Sequence, residues 1–182
     1  MSAFDFAFTL FGLLLGLSLA ELFGGFARTL RARRRIRIGF LTPLLALLMV
    51  IDLVSFWVGA WNDRASISVS FPTLLFGAAI AGLYYMAAAL VFPDEIREWR
   101  DLDDYYLTQK LWVVLAIQAS NWLVIAGNII LHGNFFTSAH AFVQLALWLS
   151  AGLALILARP KWLNLVFLLW YLQLYWIVRL IL

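Results

Sequence analysis

Cysteine is absent from this 182-residue chain, which removes disulfides, thiolate metal ligands and a cysteine nucleophile, and leaves the redox compartment unread. Charge is scarce as well: 13% of residues are Asp, Glu, Lys or Arg, against about 25% in ordinary globular chains. So little charge excludes a cytosolic or secreted enzyme, a nucleic-acid binder and a disordered adaptor. The usual catalytic signatures are missing too. There is no H-E-x-x-H, no G-x-S-x-G, no phosphate-binding G-x-x-x-x-G-K-[ST] and no dinucleotide fingerprint. The interfacial acids between Asp94 and Asp104 have no histidine near them, unlike the acid–histidine clusters of enzymes that act on lipid phosphates. No cofactor is called for by these residues.

What is present is apolar length. Hydrophobic residues make up 65% of the chain, and they fall into six continuous stretches rather than the alternating pattern of an outer-membrane barrel. The predicted spans are 4–27, 38–60, 71–92, 111–131, 136–158 and 162–182, each long enough to cross a core about 30 Å thick. They fill the sequence and leave no soluble domain. The expected fold is therefore all-α: a single polytopic six-helix transmembrane bundle, with a short amphipathic cytoplasmic helix between the third and fourth spans. Turn chemistry marks the breaks: Trp61-Asn62-Asp63-Arg64, Ser70-Phe71-Pro72, Pro93, His132-Gly133-Asn134 and Arg159-Pro160-Lys161.

Direction follows from where the cations sit. The first, third and fifth loops carry six, three and two Lys or Arg, eleven in all, against Arg64 and Arg179 on the other side. The positive-inside rule then makes the odd loops cytoplasmic and both termini external, in what reads as a bacterial inner membrane. The first 27 residues lack the basic start and cleavage site of a signal peptide and are expected to stay as a span. Arg28, Arg31, Arg33, Arg34, Arg35 and Arg37 lie within ten residues. Between two spans, such a run reads as a topology signal in contact with anionic lipid headgroups; nucleic acid is not an expected partner.

The third loop begins Pro93-Asp94-Glu95, a helix-start pattern, and Ile96, Trp99, Leu102 and Tyr106 recur near helical spacing. Its acids could pair with the arginines of the first loop, form a solvated face, or dock another protein over residues 94–104. In span one, Gly12, Gly16, Ala20 and Gly24 recur every four residues on one face and predict a close helix contact, within the chain or in a homo-oligomer. Of nine tryptophans, Trp57, Trp61, Trp99, Trp112 and Trp162 fall near span ends, as an interfacial belt requires. Trp122, Trp148, Trp170 and Trp176 need packing or lipid explanations, or an aromatic-ligand pocket.

Ionisable groups inside a bilayer are costly and mark paths or partners. Two acids qualify. Glu21 lies roughly 9 Å inside the cytoplasmic end of span one, and Asp52 roughly 12 Å inside the external end of span two. The difference in depth makes them separate stations, not a proton-sharing dyad. Glu21 can also pair with Arg28, seven residues on. Asn121, Gln144 and Gln173 fall near the depth of Asp52, and Gln118 nearer Glu21, so a polar path can be drawn through the bundle. The bland alternative gives each amide one interhelical hydrogen bond. His132, His140 and Asn128 would form an external mouth. Metal or haem ligation by the two histidines lacks completing ligands, and no metal is expected.

Three classes of function remain. The leading one is a small channel or ion/proton-coupled transporter with Asp52 and Glu21 on its path. The second is a non-catalytic membrane subunit or scaffold that binds partners through helix faces and the acidic loop. A lipid-modifying enzyme comes last.

Overall fold

The structure, a computed structural model, describes the backbone of residues 3–133 and 139–181 and the side chains of 8–133 and 142–176. The described residues form six α-helices: α1 Ala3–Ala32, α2 Leu41–Asn62, α3 Phe71–Val91, α4 Leu102–His132, α5 Ala139–Leu157 and α6 Lys161–Ile181. There is no β-sheet among them. The protein is an all-α polytopic membrane protein: α1 to α4 are each long and apolar enough to cross a bilayer, and α5 and α6 are two further helices packed against them. Helix α4 touches α2, α3 and α5. Helix α1 lies outermost, against α2 and α3, and α6 closes the bundle between α2 and α5.

Local sequence explains most helix ends. Ser70 caps α3, its hydroxyl accepting from the Thr73 amide at 3.4 Å, with Pro72 in the first turn. Gly133, at φ 79°, ends α4. Helix α1 runs on to Ala32, so Arg28 and Arg31 are helical and only Arg33–Arg35 form the turn.

The third loop departs from the expectation. It holds no separate amphipathic helix, only a single 3₁₀ turn at Ile96–Glu98. The helix begins instead at Leu102, capped by Asp101, whose carboxylate accepts from the Asp103 amide at 2.9 Å, and continues without a break as α4. The apolar residues of the segment are used for docking, not for floating on a lipid surface. Ile96, Leu102 and Tyr105 bury with Ile36 of the first loop in a small separate core. Backbone pairing joins the same two loops: the Arg37 amide donates to the Arg100 carbonyl at 2.9 Å, and the Leu102 amide to the Arg37 carbonyl at 3.0 Å.

The glycines of α1 divide sharply. A side chain at Gly12 would meet Trp57 at 2.5 Å, whereas at Gly16 nothing lies within 4 Å. Gly16 and Ala20 face outward from the chain. The tight packing between α1 and α3 uses Gly25, beneath Phe92, and Gly77, which holds the ring of Phe11. Gly77→Leu should therefore lower the melting temperature sharply by overpacking, at about 1–3 kcal/mol, while Gly16→Leu leaves it unchanged. Thermal unfolding of both variants as purified monomers checks this; equal losses would show that the outward face of α1 is packed.

Candidate functional site

The two ends of the bundle are built differently. At the end bearing the first, third and fifth loops, α2 begins at Leu41 without a cap of its own. The orphan amide is taken by Asp103, whose carboxylate accepts from Leu41 N at 2.9 Å, while the Thr42 hydroxyl donates to the Leu102 carbonyl at 2.8 Å. Gly39 permits this approach: its φ is +67°, and a side chain there would strike the Asp103 carboxylate. Lys161 ties in the fifth loop, with its ammonium 3.0 Å from Asp101 and 2.7 Å from Asp104. Of the arginine run, Arg37 reaches Asp101 at 3.8 Å. The expected pairing between loops is thus carried mainly by the fifth loop's lysine.

Burial pushes the Asp101 carboxyl up, but the Asp103 amide and then Lys161 and Arg37 outweigh it and hold it below its ordinary 3.8. A depressed carboxylate contributes stability that is present above its unfolded value and is lost as pH falls through the folded one. Asp101→Asn keeps the helix cap and removes the charge. The melting temperature of the unaltered protein should therefore fall towards that of the variant as pH drops from 6 into the range below about 4. A gap that stays constant in melting scans over this range would show that the charge does not matter.

Just inside this end, Lys110 is buried and donates to the carbonyls of Leu155, at 2.8 Å, and of Ala158, and to Asn164 Oδ1, at 2.9 Å. Asn164 Oδ1 also accepts from the Tyr106 hydroxyl at 3.1 Å, and its amide donates to Ala158 and Pro160 at 2.9 Å each. A lysine at the C-terminus of α5 meets both the free carbonyls and the negative end of the helix dipole.

The opposite half contains an open chamber of about 1020 Å³ lined by residues of all six helices, bordered by Asp63 and Leu131 near the helix ends and reaching inward to Asp52. Asp52 sits at the middle of α2, roughly 15 Å from either end, and is 3% exposed. Tyr175 donates to its Oδ1 at 2.5 Å. Its Oδ2 is buried with no partner, and so are Tyr84 OH, Asn121 Nδ2, Trp148 Nε1 and Tyr171 OH. Tyr84 and Asn121 turn their polar ends toward the same carboxylate. Trp148 stands edge-on to Tyr175, with ring centres 4.3 Å apart, and to Tyr171 at 5.2 Å. Among the described residues seven buried polar side-chain atoms lack a partner, and five belong to this one cluster. Buried polar groups are nearly always bonded, so the concentration marks the site.

Asn121, Gln118, Gln144 and Asn128 line the chamber with Asp52. Gln118 lies over Gly152 and donates to the Trp148 carbonyl at 3.2 Å, and Asn128 bonds back to Val124 at 3.1 Å. Gln173 is exposed on the outside of α6. Glu21 is engaged with Arg28 at 3.1 Å on α1 and does not border the chamber. His132 pairs with Asp63 at 3.3 Å, tying the ends of α4 and α2. The side chain of His140 lies outside the described residues. No group of three metal-ligating His, Cys, Asp or Glu occurs among the described residues. Arg31, Arg33 and Arg34 line a shallow cleft of about 390 Å³ at the end of α1, and Arg35 and Arg37 are exposed beside it. Tyr84, Tyr171 and Tyr175, and the Lys110–Asn164–Tyr106 network, were not marked by the sequence.

No family model matches this chain, and no curated protein or solved structure is significantly similar to it.

Proposed function

We propose that the chain is a small channel or an ion- or proton-coupled transporter, with Asp52 as the binding station of its path. The observation that supports this best is a mid-helix carboxylate with one unbonded oxygen at the inner limit of a large open chamber. A purely structural role is served more cheaply by an amide, because a carboxylate in a bilayer is costly. Asn121, Gln118, Gln144 and Asn128 offer polar contacts along the way. Glu21 is drawn off the path by Arg28. In the orientation that the positive-inside rule gives, the chamber opens to the outside of a bacterial inner membrane and the interlocked loops close the cytoplasmic side. The arginine cleft then meets anionic headgroups.

The test uses the natural absence of cysteine. A single cysteine at Val124, on the chamber wall, should react with a membrane-impermeant maleimide from the side opposite the arginine loop. Proteoliposomes should show flux of protons or small cations under an imposed gradient. No labelling and no flux would remove the reading.

A second reading, a non-catalytic subunit that binds partners or a second copy, is favoured by the open space over Gly16 and Ala20. It expects a dimer in detergent that Gly16→Leu converts to monomer. A mass that is monomeric at every concentration would reject it.

A further inference from the structure

Resting on the reading of the Asp52 chamber as a binding station, we infer that its ligand is a protonated organic amine with an apolar body, bound through its N–H groups to the Asp52 carboxylate. The chamber's polar end and its walls ask for different things, and this ligand class meets both. At the polar end, one carboxylate oxygen accepts from Tyr175, and the other makes no close hydrogen bond although Tyr84 and Asn121 turn toward the carboxylate. Phe56, Trp148 and Tyr175 border the chamber beside it, with Tyr84 tilted against Phe56 and Tyr171 edge-on to Trp148. A carboxylate set among aromatic rings is the arrangement that attracts an ammonium, since the ring faces carry negative charge. Most of the remaining wall is apolar, including Phe11, Phe76, Trp122 and Leu131, with Gln118, Gln144 and Asn128 as scattered polar contacts.

A bare metal cation fits less well. Calcium takes six to eight oxygens and magnesium a near-ideal octahedron. Here the Asp52 carboxylate already accepts from Tyr175, and the Trp148 indole N–H is a donor with no acceptor capacity. The unbonded Trp148 donor instead suits an amine that also carries a hydroxyl, ether or carbonyl oxygen. An anion is disfavoured by Asp52, with no cation from the described residues lining the chamber.

Three probes of nearly equal shape separate the possibilities: 2-phenylethylamine, 2-phenylethanol and 3-phenylpropionate. They are titrated into the full chain in detergent, followed by calorimetry and by melting. The amine should bind and raise the melting temperature, and the alcohol and the acid should bind at least tenfold more weakly. Asp52→Asn should abolish the preference for the amine. If that variant does not fold, Gly59→Leu replaces it. Gly59 borders the chamber with open space around it, so the added side chain narrows the chamber without disturbing the core and should weaken amine binding tenfold or more. Equal binding of amine and alcohol, or amine binding untouched by both variants, overturns the inference. If the cysteine at Val124 is labelled from water and no amine binds, the ligand class is wrong and the chamber reading stands. If it is not labelled, the chamber reading itself falls.

Discussion

Asp52→Asn is expected to leave the bundle folded and to remove most of the flux. The amide fills nearly the same volume, and its oxygen still accepts from Tyr175, so the stability change stays within about 1 kcal/mol. The permeant loses far more. A hydrogen bond to a charged group is worth about 1.5–3 kcal/mol, which weakens occupancy of the station roughly ten- to a hundredfold. Melting and proteoliposome flux measured on the same preparation separate the two effects. Undiminished flux would take Asp52 out of the mechanism. A collapse in melting with no flux in either protein would make Asp52 a structural bond between α2 and α6.

The second large effect lies at the other end. Lys110→Met keeps the aliphatic stem but takes the side-chain donor from Leu155 O and one of two donors each from Ala158 O and Asn164 Oδ1, which keep the Asn164 amide and the Tyr106 hydroxyl. A buried acceptor left without a partner costs about 1–3 kcal/mol, so a loss of about 1–3 kcal/mol is expected. Lys161→Met, at the same end but with a side chain 40% exposed, should cost less than about 1 kcal/mol. Denaturant or thermal unfolding of the pair decides this. Equal losses would show that Lys110 is solvated and its contacts are incidental.

These two residues also show how far the sequence could be read. Asp52 is legible because a lone acid in a long apolar run has no inexpensive reason to be there. Lys110 looks like loop charge until α4 is seen to start at Leu102, nine residues before the apolar run alone would begin it. Its partners are carbonyls, which leave no mark on a sequence. The tyrosines around Asp52 stay hidden for another reason: tyrosine is equally at home in a core and at an interface. Gln173 could have been set aside by phase. On α6 the buried positions Asn164, Leu168 and Tyr171 recur every three or four residues, with Tyr175 following four further on. Gln173, two residues from Tyr171 and from Tyr175, is carried to the far side of the helix. The spans were readable because bilayer thickness fixes their length. The third loop was misread because the same apolar spacing serves a docked turn and a surface helix alike.

The cap on α2 has a bearing on how the protein is made. Leu41 and the Asp103 that accepts its amide proton are 62 residues apart. When α2 leaves the ribosome, its cap has not yet been synthesised. Its first turn must therefore stay bonded to water or headgroups until α4 arrives. The same holds for the end of α5 in reverse, since Lys110 is already waiting when Leu155 and Ala158 emerge. Insertion of the early helices is thus provisional, and the charged end sets only after the later segments have been delivered.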